Sequence, residues 1–292
     1  MVISLYAKGV SLADIKNTIA QIYSIELSKE TLSNMTEAVS EEVEKWRQRD
    51  LQKCYPFVYV DCLYCSIKDN LVSEKNAIYV ALGVGTNGVK DVLGIWVDRT
   101  ESASKWCEIF EELKARGVED IFFVSMDGLT GLPAAVEKVF PSAIMQRCIV
   151  HIVRNIYSVV PKKESKEIIA DFKKIYTATN LENAKLEYQN FKEKYKDKEK
   201  IMKKVNEDID WIYQIFEYPP AIRKVIYTTN AIESLNSALR KVTKGKGSFI
   251  NKNALMKVLY LRIKDLQKKW STGIANWVNV KVSWQKFMKI GS

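Results

Sequence analysis

YPFVYVDCLYCSI (55–67), followed by NAIYVALGVG (76–85) and VKDVLGIWVD (89–98), decides the fold of this chain. β-Branched and aromatic residues dominate all three runs, and Gly85–Gly88 punctuates the last two as a hairpin, so three strands are expected. Beyond residue 100 the apolar period lengthens. Ser102 to Arg116 reads as a helix with Trp106, Ile109, Phe110 and Leu113 on its buried face, stopped by Gly117. DIFFVSMD (120–127) reads as a buried strand, Thr130–Phe140 as a helix, Ser142–Gln146 as a short strand and Arg147 to about Val160 as a helix. Strands interleaved with helices define an α/β domain with a mixed sheet, over residues 51–160.

Upstream, residues 1–50 read as helical. Ser11 is placed to cap Leu12–Tyr23, and Ser28 to cap a second helix that runs into EEVEKWRQRD, with a short break at Ser24–Leu27. Two helices joined by a tight turn fit a partial helix-turn-helix, although any helical hairpin looks similar. A third helix of such a unit has only Met1–Ala7 to draw on, so the chain is expected to begin inside a domain. Downstream, residues 161–225 show no strand pattern and read as an all-helical insertion ending at Pro219-Pro220. Residues 226–292 would complete the core. They hold the helix TTNAIESLNSALRK (228–241), a Gly-Lys-Gly loop within Lys244–Gly247, a helix Lys252–Trp270 and a tail bearing Trp277 and Trp284.

The 292 residues carry a formal net charge of +10, unevenly distributed. Residues 1–150 hold 16 Lys+Arg against 21 Asp+Glu, a net of −5, whereas residues 151–292 hold 29 against 14, a net of +15. A basic C-terminal half points to a polyanionic partner such as nucleic acid. The charge run at 192–204 taken alone is better explained as a solvated helical face. Hydrophobic content of 47% fits a folded chain rather than a disordered one. No run of about 18 apolar residues is present, so no membrane span or membrane partner is expected. No signal peptide is visible, and five cysteines at irregular spacing fit a reducing compartment. A cytoplasmic, nucleoid-associated location is the expectation.

Three acids stand out against this background. Asp61 interrupts an apolar strand, Asp127 ends another just before Gly128, and Glu233 lies near the start of a helix. On that helix Ile232, Leu235 and Leu239 form the apolar stripe, while Glu233, Asn236 and Arg240 share a polar face. Two strand-borne carboxylates plus a helix-borne one can hold two divalent cations about 4 Å apart, the arrangement suited to in-line attack on a phosphodiester. Hard oxygen ligands select Mg²⁺ or Mn²⁺. Spacing alone leaves other readings open, since acids also cap turns and line solvated helix faces.

Cys62 and Cys65, with Cys148 and His151, superficially give the spacing C-x-x-C…C-x-x-H of a zinc site. The first pair falls inside a predicted strand, where positions an odd number apart face opposite sides, and this weighs against zinc. Cys148 and His151 would share one helical face beside Arg154. They are either a buried thiol and a hydrogen-bonded imidazole, or a buttress of the carboxylate site or a contact to DNA. His151 is the sole histidine, and no nucleophile-elbow motif accompanies it.

These motifs together resemble the Mutator family of transposases, encoded by many bacterial insertion sequences. The resemblance is carried by YVDCLYCSIK around Asp61, ESASKW with ARG at 115–117, SMDGLTGLPAAV around Asp127 and QRCIVHIVRN around Cys148 and His151. TTNAIESLNSALRK around Glu233 and FINKNALMKVLYLRIKDLQKKW complete it, in the family's order and over nearly the whole chain. It implies an RNase H-like core with a helical insertion before the last acid, and a catalytic triad of Asp61, Asp127 and Glu233 that binds two Mg²⁺ or Mn²⁺ ions. It also implies cleavage at terminal inverted repeats and strand transfer into target DNA by a homo-oligomer, at least a dimer on DNA. Family members are usually longer at the N-terminus, so residues 1–50 would be the last helices of a fuller DNA-binding region. Arg154, Arg240, Lys241, Lys244 and Lys246 would meet phosphates. The alternatives are a truncated or domesticated DNA-binding protein without transposition activity, and a nuclease on the same fold.

Overall fold

The computed structural model describes residues 1–69, 72–227, 230–245, 247–270 and 272–290. Three helices come first: α1 (Val2–Ala7), α2 (Leu12–Tyr23) and α3 (Lys29–Gln48). Strands β1 (Cys54–Asp69), β2 (Val72–Val84) and β3 (Lys90–Asp98) follow, then α4 (Ala103–Ala115), β4 (Asp120–Met126), α5 (Leu132–Val139) and β5 (Ile144–Arg147). A helical stretch holds α6 (Ile149–Val159), α7 (Ser165–Tyr176), α8 (Leu181–Tyr195), α9 (Glu199–Gln214), a 3₁₀ turn at Ile215–Glu217 and α10 (Pro220–Tyr227). The chain closes with α11 (Asn230–Lys244), α12 (Lys252–Gln267) and α13 (Trp277–Ile290).

The five strands form one mixed sheet in the order β3-β2-β1-β4-β5. β1 pairs antiparallel with β2, placing Asp61 opposite Val80, and β2 pairs antiparallel with β3. β4 and β5 run parallel, with Met126 opposite Arg147. β2 is buried without interruption from Asn76 to Val84, the pattern of a strand covered on both faces.

Two compact units divide the chain, each assembled from separated segments. The first comprises Met1–Phe122, Leu129–Ala143 and Asn230–Ile274. Three of its helices start where hydroxyl caps sit. The Ser11 side chain accepts from the Asp14 N–H, that of Ser28 from Thr31 and that of Ser102 from Lys105. α12 packs against α3, where Trp46 and Tyr260 lie 5.5 Å apart and Lys257 pairs with Glu37 at 3.1 Å. The ESASKW run is structural: Tyr79 Oη donates to the Thr100 carbonyl and accepts from the Ser102 N–H, and the Trp106 ring is almost wholly buried. The ARG run is structural too. The buried Arg116 guanidinium donates to the carbonyls of Arg49 and Leu93, and Gly117 ends the helix at φ 99°, a backbone region that favours glycine.

The second unit comprises Phe123–Gly128, Ile144–Thr229 and Ala275–Ser292. Its core gathers Ile152 and Ile156 of α6, Ile168, Phe172 and Ile175 of α7, Phe191 and Tyr195 of α8, and Val205 and Ile212 of α9. Phe172 and Phe191 meet nearly edge to face at 6.1 Å. Across the two units, three expectations change. Arg147 is the last residue of β5 rather than the first of a helix, because it continues the parallel pairing against Met126. The helix expected from Thr130 starts at Leu132, because Gly131 takes a left-handed φ of 84° at its N-cap. Residues 277–290, read from sequence as a tail, form α13, whose Phe287 ring packs on Tyr218 at 5.5 Å.

Candidate active site

Asp61 sits inside β1 and is 4% exposed, an unusual place for a carboxylate unless its oxygens are satisfied. Oδ1 accepts from the N–H of Cys62 at 2.8 Å. Oδ2 accepts from Asn236 Nδ2, 175 positions away in the chain. Asn236 is itself 1% exposed, and its carbonyl oxygen Oδ1 is buried without a hydrogen-bond partner among the described residues. The apolar stripe of α11 explains the approach. Ile232, Leu235, Ala238, Leu239 and Val242 are buried, and the helix packs on β1 and α12.

Glu233 lies on α11 three residues before Asn236 and is half-buried. Side chains three apart on a helix are surface neighbours, so the face that brings Asn236 to Asp61 also carries Glu233. The first unit therefore joins Asp61, Asn236 and the Glu233 face. Arg240 is half-buried, and Lys241 and Lys244 are exposed, toward the end of the same helix. The segment after α11 is tied to β1, with the Lys68 N–H donating to the Phe249 carbonyl at 2.7 Å and the Phe249 N–H to Ser66 at 2.9 Å. Lys246 lies outside the described residues.

Asp127 belongs to the second unit. It is half-buried, one residue beyond β4, and Gly128 follows it. Sequence reasoning missed its surroundings. A Cβ on Gly128 would lie 1.8 Å from Arg147 Nη2, so a guanidinium occupies the space a side chain would need. Arg147 Nη1 pairs at 2.6 Å with Asp208 of α9, which is 2% exposed. Burial raises the Asp208 carboxyl above its ordinary range, while the charge of Arg147 pulls it back. The signal that could have found Asp208 is its position. It falls on the apolar stripe Ile201, Val205, Ile212 of α9, where an acid without a partner is costly.

Cys148 is a buried free thiol at the N-cap of α6, and its N–H donates to the Met126 carbonyl at 2.7 Å. His151 is half-buried and Arg154 exposed on that helix. Cys62 and Cys65 both lie within β1, as expected, and neither is in a disulfide. Among the described residues no group of three or more His, Cys, Asp and Glu side chains is gathered tightly enough to hold a metal. The Asp61 carboxylate and Asn236 Oδ1, the latter without a hydrogen-bond partner among the described residues, are oxygen donors, with Glu233 three residues before Asn236 on α11. Oxygen donors of this kind suit a hard divalent cation.

Comparison with known proteins agrees with the motifs. A family model described as "Transposase, Mutator family" matches residues 1–273. A probable transposase for an insertion sequence element of Corynebacterium diphtheriae is 38% identical over 274 residues, 92% of this chain and 79% of that protein. The transposase for insertion sequence element ISRM3 of Rhizobium meliloti is 36% identical over 282 residues, 96% of this chain and 70% of that protein. The transposase for IS256 in transposon Tn4001 of Staphylococcus aureus is 28% identical over 280 residues, 95% and 72% of the two chains. Among solved structures, the Drosophila P element transposase strand transfer complex aligns over 92% of this chain and 79% of that one, at 10% identity and a TM-score of 0.36. Nothing is drawn from a likeness so distant. The chain belongs to the Mutator family of transposases. No helix among its described residues is long and apolar enough to cross a membrane.

Proposed function

We propose that this transposase is a DDE enzyme with an RNase H-like core, cutting DNA at terminal inverted repeats and joining the freed 3′ ends to target DNA. Asp61, Asp127 and Glu233 form its catalytic triad. The observation that carries this reading is the buried Asp61 carboxylate held by Asn236, which brings the Glu233 face of α11 to the first acid. An isolated buried carboxylate is expensive to keep, and one flanked by a second acid and an unpartnered amide oxygen is the environment a divalent cation stabilises.

Two Mg²⁺ or Mn²⁺ ions, held by the three carboxylates, would supply Lewis-acid stabilisation of charge on the phosphodiester oxygens. The residues of the chain do the rest. Asn236 orients Asp61 through its amide N–H, so the carboxylate points one way before substrate arrives. Arg240, Lys241 and Lys244, with Lys246 and Arg154, neutralise backbone phosphates, a contribution independent of base sequence and weakened by salt. The helices α1 to α3 are read as part of a helix-turn-helix that engages the terminal repeat. Two transposon ends must be held together for strand transfer, so the enzyme works as at least a dimer on DNA.

Cleavage and strand transfer on duplexes carrying matched terminal repeats, in Mg²⁺, test the assignment. Wild type is expected to produce nicked and joined products and Glu233→Gln neither. Equal activity in both sinks the triad. Inactivity of both with DNA binding retained would favour a DNA-binding protein without transposition activity.

A further inference from the structure

Arg147 and Asp208 have no place in the triad, yet they converge on the residue next to its second acid. Arg147 ends β5 and Asp208 lies on α9, 61 positions later, within the same unit. Nη1 of the guanidinium meets Asp208 Oδ1 at 2.6 Å. Nη2 lies against the main chain of Gly128, where a Cβ would approach to 1.8 Å. Two hydrogen bonds fix the frame around this ion pair. The Cys148 N–H donates to the Met126 carbonyl at 2.7 Å, and Gln146 Nε2 donates to the Trp211 carbonyl of α9 at 2.9 Å. Residues 146, 147 and 148 thus connect α9 to the end of β4 by a side-chain amide, an ion pair and a main-chain bond in succession.

Chemistry narrows what the ion pair does. Asp208 neutralises the guanidinium, so Arg147 brings little net charge to the β4 end. What it brings is a planar group of fixed shape, clamped from behind and pressed on the one residue that has no side chain. An ion pair with one buried partner adds little to stability compared with apolar packing, and its best-attested use is to select one geometry.

We infer that Arg147, locked by Asp208, is a positioning residue that sets the depth of the main chain at Gly128 and so the direction of the Asp127 carboxylate. The inference rests on the reading of Asp127 as a catalytic acid. It gives the helical region a part in the chemistry: α9 holds the clamp that aims the second acid.

The test uses the full chain, duplexes bearing the terminal repeats, and Mn²⁺ titrated by calorimetry without DNA. Arg147→Met is expected to weaken Mn²⁺ binding about tenfold or more, as loss of a residue that orients a metal ligand does. Cleavage should slow by about a hundredfold, with DNA affinity unchanged. Arg147→Lys keeps the charge but not the fork and should fall between. Gly128→Ala should behave like Arg147→Met, because the new methyl meets the guanidinium. The double variant Gly128→Ala/Arg147→Met should be no worse than Arg147→Met alone. Where Arg147→Met fails to fold, Gly128→Ala decides, since it retains both charges. Wild-type cleavage and Mn²⁺ affinity in Gly128→Ala or Arg147→Met, with Asp127→Asn inactive, would overturn the positioning role and leave the triad standing. Full activity of Asp127→Asn would remove Asp127 from the site, and the positioning role with it.

Discussion

Asp61 and Asp127 are each the acid of a strand, but different physics fixes each one. Asp61 is inside β1, almost wholly buried, and its partner is the amide of Asn236, 175 positions away. Asp127 lies just past β4, half-buried, and its surroundings are set by main chain packed under the side chain of Arg147, 20 positions on. The first acid is oriented by a hydrogen bond to its own oxygen. If Arg147 positions Gly128 as inferred above, the second is oriented through the backbone that carries it, and a carboxylate can be aimed from either end.

Changes at four positions break or sharpen this contrast. The largest effect belongs to the acids themselves. Asp61→Asn should reduce cleavage by on the order of a thousandfold or more while leaving DNA binding in place, as expected for a group that acts mainly on transition-state charge. A rate near wild type by single-turnover assay would remove Asp61 from the chemistry. Next is the core of the second unit. Phe172 is fully buried between Tyr176 and Phe191, and Phe172→Ala should cost about 3–5 kcal/mol. Hydrogen exchange should show that loss in α7 to α9 before β1 and β2, and equal loss in both places would contradict separate local stabilities.

Asn236→Ala comes third. Losing a buried hydrogen bond to a charged group should cost about 1.5–3 kcal/mol in denaturant unfolding. Asn236→Asp would place a second carboxylate beside the first, and it should be tolerated less well as pH rises and both ionise. If Asn236→Ala leaves stability and cleavage untouched, Asp61 is not held from α11. The smallest effect is a pH dependence in the second unit. Burial would raise the Asp171 carboxyl, but hydrogen bonds from Lys174, Lys194 and Tyr195 outweigh it and hold the group below its usual 3.8. A lowered carboxyl stabilises fully above 3.8, and that contribution is lost as pH falls through the lower folded value. Asp171→Asn should flatten the loss of stability as pH falls below about 4, by less than about 1 kcal/mol, the range for a partly exposed ion-pair network. An unchanged acid limb in urea titrations would mean that the network contributes nothing.

The strands and most helices were legible because their apolar period is local. Tyr55–Ile67 alternates and clusters like a strand, and Ser11, Ser28 and Ser102 announce helix starts within one turn. Asp61, Glu233 and Asn236 stood out because each polar residue interrupts or faces an apolar pattern. Arg147 and Asp208 did not, since each looks like an ordinary surface charge until β5 and α9 meet. Nothing within a few residues of either one records that meeting. α13 was missed for a related reason. Its Phe287 finds Tyr218 only across a long stretch of chain, and its own sequence mixes lysines with apolar residues at no clean period.

The three-segment make-up of the first unit has a consequence for how the protein is born. Asp61 leaves the ribosome 175 residues before the amide that holds it, and before the α12 face that covers α3. Contacts of such sequence separation form slowly and only after the intervening chain exists. A nascent or prematurely stopped chain thus carries the first acid without the residue that aims it. On the reading of Asp61 as a catalytic acid, the ability to cut DNA would arise only after α11 has been translated.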